Sequence, residues 1–139
     1  MLTIYCDGGS RGNPGPAASA FVVTESEKTI YSEGKYLGLE TNNVAEYTAV
    51  LLAITWLTEQ FPISNLQFPI IINLDSQLVE RQLNGFYKVK NDKLKVLYDK
   101  IKLLTVNYSL LIKYQWGYRT KNTLADSLVN ETLDKASVR

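Results

Sequence analysis

The sequence contains no histidine. That absence removes Ser-His and Cys-His nucleophile pairs and histidine-based zinc or iron sites. Any metal here must be held by oxygen ligands, which points to magnesium, manganese or calcium. A single cysteine, Cys6, excludes an internal disulfide and fits a reducing compartment. The N-terminus lacks a basic region followed by an apolar run and a small-residue cleavage site, so no signal peptide is expected. A cytoplasmic location is the expectation. No apolar run approaches the roughly 20 residues needed to span a bilayer. No repeat, low-complexity tract or linker interrupts the 139 residues, which are expected to form one domain over 1–139. Net charge is +1 and argues neither for nor against nucleic acid. Locally, Lys88, Lys90, Lys93, Lys95, Lys100 and Lys102 face only Asp92 and Asp99. That strip is either a solvated helix face or a phosphate-facing one.

Leu2-Thr3-Ile4-Tyr5-Cys6-Asp7 alternates apolar and polar residues with the period of a strand. A glycine-rich loop is expected to follow, from Gly8 to Gly15. Stretches at about 18–24 and 29–37 are also strand-like, with Glu25-Ser26-Glu27-Lys28 as the turn between them. Short connections make these three an antiparallel meander. Thr41-Asn42-Asn43 starts a helix running from Val44 to about Glu59, apolar on more than one face and therefore largely buried. Ile70-Ile71-Ile72-Asn73-Leu74 has the β-branched composition of an interior strand. Short helices are expected over Ser76–Leu83 and Asp92–Thr105, a strand over Ser109–Trp116, and a last helix from Asn122 to about Lys135. The order β-β-β-α-β-α-α-β-α describes an α/β fold. Its mixed five-stranded sheet has three antiparallel strands and two parallel ones, with helices on both faces.

Four carboxylates fall at element ends. Each has an ordinary explanation. Asp7 can start a turn before Gly-Gly. Glu46 follows Asn43 by three residues, as in a capping box. Asp75, or Ser76 beside it, can cap the next helix. Asp126 can complement a helix dipole. Their joint placement is harder to explain that way. Sites in sheets with parallel strands form at the carboxyl ends of the strands, where strand order reverses. The first strand and the 70–74 strand flank that point. Four carboxylates gathered there would repel one another and raise their pKa values unless cations neutralised them. With no histidine and no adjacent Lys or Arg, divalent metal is the economical solution. Magnesium suits a carboxylate-only site that also takes substrate phosphate oxygens, and two such ions can serve an in-line phosphoryl displacement. Arg11 and Asn13 could donate to a phosphate or a sugar.

Four segments resemble type I ribonuclease H: Asp7-Gly8-Gly9-Ser10-Arg11-Gly12-Asn13-Pro14-Gly15, Thr41-Asn42-Asn43-Val44-Ala45-Glu46-Tyr47, Asp75-Ser76-Gln77-Leu78-Val79 and Asn122-Thr123-Leu124-Ala125-Asp126. The resemblance spans essentially the whole chain. It implies an endonuclease that cuts the RNA strand of RNA–DNA hybrids with two Mg2+ ions, Mn2+ substituting, and leaves 5′-phosphate and 3′-hydroxyl ends. It implies that Asp7, Glu46, Asp75 and Asp126 are the catalytic metal ligands, with Asp7 bridging. Asn13, Asn43 and Gln77 match positions that contact the hybrid near the cut, including RNA 2′-hydroxyls. Gly8 and Gly9 belong to a loop that lets the RNA backbone pass close. Thr41 matches a residue holding a DNA-strand phosphate, and Lys88 or Lys90 could assist. Many members carry a histidine in the loop before the last helix. Here Gly117-Tyr118-Arg119-Thr120-Lys121 has none, and Arg119 stands where a cation could act. Neither the basic, tryptophan-bearing handle nor the separate hybrid-binding domain of some members is expected here, which implies weaker substrate binding. A monomer is expected. Two other readings are a catalytically silent nucleic-acid-binding module and the nuclease portion of a reverse transcriptase, or a nuclease acting on double-stranded RNA.

Overall fold

The computed structural model describes residues 2–62, 66, 68–117 and 122–137. Its elements are β1 (Leu2–Ser10), β2 (Gly15–Glu25), β3 (Lys28–Glu40), α1 (Asn42–Gln60), β4 (Ile70–Leu74), α2 (Gln77–Leu83), α3 (Asp92–Thr105), β5 (Ile112–Trp116) and α4 (Thr123–Ser137). One sheet has the order β3-β2-β1-β4-β5. β1, β2 and β3 pair antiparallel, while β4 pairs parallel with β1 and with β5. The expected sheet is the observed one. No described helix is long and apolar enough to cross a membrane.

Alternation along the strands sorts side chains between two faces. On one face, Ile4, Phe21, Ile72 and Leu74 meet Tyr47, Ile54 and Leu57 of α1 and Ile101 of α3, all essentially inaccessible. α1 is buried on most of its circumference, at Val44, Ala45, Tyr47, Ala49, Val50, Ala53, Ile54 and Leu57, as its all-round apolarity implies. Polar ties join this layer. The Tyr47 hydroxyl donates to Gln82 Oε1 at 2.6 Å, and Lys102 Nζ donates to the Leu83 carbonyl at 2.6 Å. On the other face α4 lies across β2, where Ala18 and Ala20 meet Val129 and Leu133.

Several boundaries differ from expectation. β1 does not end at Asp7. Gly8, Gly9 and Ser10 stay in the ladder opposite Ser19, Ala18 and Ala17, so the loop shrinks to residues 11–14. Backbone pairing with β2 needs no side chain, and it overrides the poor strand propensity of glycine. The turn after β2 is also tighter than expected. Glu25 pairs with Lys28, leaving Ser26 and Glu27 at positive φ, 50° and 69°, as a two-residue hairpin turn requires. β5 starts at Ile112 rather than Ser109. A 3₁₀ turn, Val106–Tyr108, precedes it, Leu111 N donates to the Tyr108 carbonyl, and Leu110 points outward at 88% exposure. β4 begins opposite Ile112, at Ile70, and Ile70 N donates to the Leu111 carbonyl at 2.7 Å.

Candidate active site

Register brings the first two acids together. Cys6 lies opposite Leu74 at the end of the parallel pairing, so the residues that follow, Asp7, still paired with Ala20 of β2, and Asp75, just past β4, come out side by side. This is the reversal point of strand order, at the carboxyl ends of the strands.

Glu46 arrives on α1, held down at one contact. Ser19 Oγ donates to the Ala45 carbonyl at 2.6 Å. A Cβ on Gly8 would fall inside that carbonyl and 2.5 Å from the Glu46 amide nitrogen. Gly8 is therefore glycine because the helix backbone rests on β1 there, a packing reason that its expected substrate role did not anticipate. The capping-box reading of Glu46 also fails. Thr41 is the N-cap, its hydroxyl accepting from Val44 N at 3.2 Å. Asn43 lies inside the helix, and no acidic residue occupies the first turn. Ser76, not Asp75, caps α2 by accepting from Val79 N. Asp126 does lie in the first turn of α4.

Asp7, Glu46 and Asp75 each place a carboxylate oxygen within 4.8 Å of the others. Asp126 lines the same cleft, of about 370 Å³, and its carboxyl hydrogen-bonds that of Asp7, but it stands outside the three-way cluster. Asp7 is 4% exposed and accepts from Gly8 N at 2.9 Å. Burial first, then the charges of Asp75 and Asp126, push its pKa from 3.8 up to about 7, although the Gly8 amide pulls it down. The neighbouring Cys6 thiol is pushed up by burial and by the charges of Glu46 and Asp7. A buried proton on Asp7 neutralises part of this cluster. A hard divalent cation among three carboxylates would do the same more completely, and the all-oxygen donor set matches one.

The remaining expected residues divide. Asn13, Thr41 and Asn43 come together in a second hollow of about 340 Å³ with Asn91 and Lys93. Lys93 there is ion-paired with Glu40. Gly9 borders the acidic cleft. Gln77 is exposed at the start of α2, and Lys88 and Lys90 are exposed between α2 and α3. Half of the lysine strip is engaged elsewhere: Lys93 with Glu40, Lys95 with Asp99, Lys102 with the Leu83 carbonyl. Arg11 reaches Asp134 at 2.6 Å and the Asn130 carbonyl at 3.4 Å, so it ties the loop to α4 in place of the expected phosphate contact. Arg119 lies outside the described residues.

Two asparagines passed over in the sequence help build the site. Asn42 Oδ1 accepts from Ser10 N at 2.8 Å and from Ser10 Oγ at 3.0 Å, while Asn42 N donates to Asn13 Oδ1 at 3.0 Å. This clasp joins the end of β1, the 11–14 loop and the start of α1. Asn122 Nδ2 donates to the Cys6 carbonyl at 2.9 Å. Asn42 and Asn122 both stand at helix starts, where the sequence alone suggests capping.

The chain matches the reverse transcriptase-like family over residues 5–132. It is 38% identical over 138 residues to a bifunctional protein of Mycobacterium tuberculosis, covering 98% of this chain and 36% of that protein. It is 35% identical over 137 residues to the ribonuclease HI of Halobacterium salinarum, covering 95% of this chain and 64% of the relative. The chain thus spans about a third of the length of the mycobacterial relative. Among solved structures, LC11-RNase H1 in complex with an RNA/DNA hybrid superposes with a TM-score of 0.91 at 38% identity, over 98% of this chain and 99% of that one.

Proposed function

The chain belongs to the reverse transcriptase-like family, among the type 1 ribonucleases H, and from that premise we propose that it hydrolyses the RNA strand of RNA–DNA hybrids. The observation that carries this is the three-carboxylate cluster of Asp7, Glu46 and Asp75 at the reversal point of the sheet. Asp126 is the fourth acid of the same cleft. Residues 1–139 act as one catalytic domain.

In this reading the four acids hold Mg2+, with Mn2+ as a substitute. Two ions supply charge for the attacking and leaving oxygens of an in-line displacement. Asp7, the most buried of the four acids, would hold the ions together with Glu46, Asp75 and Asp126. The chain's own contribution is rigid placement. Asp7 and Asp75 are set by strand register, and Glu46 by the contact of α1 on Gly8. Asn13, Asn43 and Gln77 border the approach to the acids and contact the hybrid, with RNA 2′-hydroxyls as the feature that separates RNA from DNA. Thr41 takes a DNA-strand phosphate, and exposed Lys88 and Lys90 add long-range attraction that salt weakens. Gly9 gives the backbone room beside the cleft, and Arg119 supplies a cation. The protein acts as a monomer in the cytoplasm, where a buried free Cys6 stays reduced.

Labelled RNA–DNA hybrid, double-stranded RNA and double-stranded DNA of one sequence, digested side by side with Mg2+, test the reading. Only the RNA strand of the hybrid should be cut, leaving 5′-phosphate ends, and Asp7→Asn should abolish cutting. Equal cleavage of double-stranded RNA would overturn the substrate class. No cleavage at any Mg2+ or Mn2+ concentration would make the protein a silent binder.

A further inference from the structure

Asn122 is 1% exposed. An asparagine just ahead of a helix ordinarily caps it, its side-chain oxygen accepting an amide of the first turn. Asn122 is used differently. Its Oδ1 has no hydrogen-bond partner among the described residues. Its Nδ2 instead crosses to β1 and donates to the Cys6 carbonyl at 2.9 Å. Its own carbonyl accepts from Asp126 N at 3.0 Å. One residue therefore joins the carbonyl directly before Asp7 to the amide of Asp126.

That link lies where other restraint is sparse. The described core contacts of α4 come from Val129 and Leu133 resting on Ala18 and Ala20, with half-buried Leu128 beside them and Ala125 buried, a thinner layer than the one under α1. The other described side-chain ties between α4 and the loop, Arg11 to Asp134 and to the Asn130 carbonyl, are exposed and open to water and salt. The Asn122 bond is buried. It leaves Asn122 Oδ1 without a partner among the described residues, which a side chain selected for stability alone would avoid.

We infer that Asn122 is a positioning residue that sets the spacing between Asp7 and Asp126 and so completes the carboxylate set for divalent metal. The inference rests on the reading of the four acids as metal ligands. Asn122 touches neither metal nor substrate in this role. It acts through Asp126, much as residues behind a metal ligand orient it.

The test compares Asn122→Ala, Asp126→Asn and the double variant with the wild-type protein. Two readouts are used: kcat and KM on the hybrid across a Mg2+ titration, and the rise in Tm that Mg2+ or Mn2+ causes without substrate. Asn122→Ala should lower kcat about tenfold, raise the half-saturating Mg2+ concentration several-fold and shrink the metal-induced Tm rise, with hybrid KM changed less than about twofold. In the Asp126→Asn background it should change none of these further. Wild-type behaviour in Asn122→Ala, or a full and independent loss in the double variant, would overturn the inference. If Asn122→Ala does not fold, Asn122→Gln, which keeps the donor but displaces it by one methylene, decides the matter: a raised Mg2+ requirement supports the inference and an unchanged one overturns it. Absence of metal-dependent cutting in the wild-type protein would overturn the proposed function and this inference with it. Normal wild-type cutting beside an unaffected Asn122 variant overturns the inference alone.

Discussion

Under α1 the sheet buries Phe21, Ile4, Ile72 and Leu74 against Tyr47, Ile54 and Ile101, whereas under α4 it offers chiefly Ala18 and Ala20 to Val129 and Leu133. The difference bears on the acids. Asp7 and Asp75 stand on adjacent central strands, and Glu46 stands on the helix of the thick layer. Asp126 stands on the helix of the thin one. Close-packed interiors deform little, so three carboxylates are held in fixed relation whatever binds. The fourth is held by a few methyl groups, one buried amide and an exposed ion pair. A site made this way has three members on the thick layer and the central strands and a fourth on the thin layer.

Among those three acids the strongest perturbation is Asp7→Asn. Cutting of the hybrid should fall to background while the metal-free protein becomes more stable. The native Asp7 binds its proton more tightly than the unfolded chain does, so its contribution to wild-type stability is fully present below pH 3.8 and is lost as pH rises to about 7. Above that window the loss is complete, on the order of a few kcal/mol. Urea unfolding of metal-free protein should therefore show Asp7→Asn gaining over the wild type at pH 8 and little at pH 4. By the same linkage, Mg2+ should bind more tightly as pH rises toward 7, which calorimetry can follow.

Matched glycine substitutions set the two faces against each other. Gly8→Ala drives a methyl into the Ala45 backbone, which cannot step aside, and should cost about 3 kcal/mol or more together with most activity. Gly34→Ala meets the Thr132 hydroxyl and, at 3.3 Å, Leu128 Cγ, both on α4. There the helix can yield, and about 1 kcal/mol is expected. Equal costs in urea unfolding would mean that α4 is held as firmly as α1. Cavities make the same contrast more gently. Ile54→Ala should cost about 4 kcal/mol and Leu133→Ala about 2, since the thin layer can collapse onto the gap. Arg11→Ala should cost least, under about 0.5 kcal/mol, because its ion pair is exposed. A large rise in hybrid KM for that variant would restore the phosphate-contact role that the Asp134 pairing argues against.

Much of this was legible in the chain. Apolar alternation and the all-round apolarity of 44–59 report burial directly, so element types and sheet order followed from local pattern and the handedness of parallel connections. The four acids stood out because histidine is absent and each acid reads, on local pattern, as lying at an element end. What misled were residues with two uses. Gly8 and Gly9 read as loop because glycine resists strands in isolation, yet partner strands and a helix backbone settle their place. Asn43 with Glu46 read as a cap because the capping pattern is short and common, while Thr41, two residues earlier, is the cap.

Sequence alone carried the oxygen-only ligand set, the sheet and the positions of the acids along the chain, because composition and periodicity are local properties. Distances are not. That Asp7, Glu46 and Asp75 converge within 4.8 Å depends on register between strands more than 60 residues apart and on a helix resting on a missing side chain. That Asn122 spends its amide on Cys6 instead of its own helix depends on a carbonyl 116 residues away. A hydrogen bond is decided by which groups come within reach once the chain has folded, and pairing across such separations leaves no periodic trace to read beforehand.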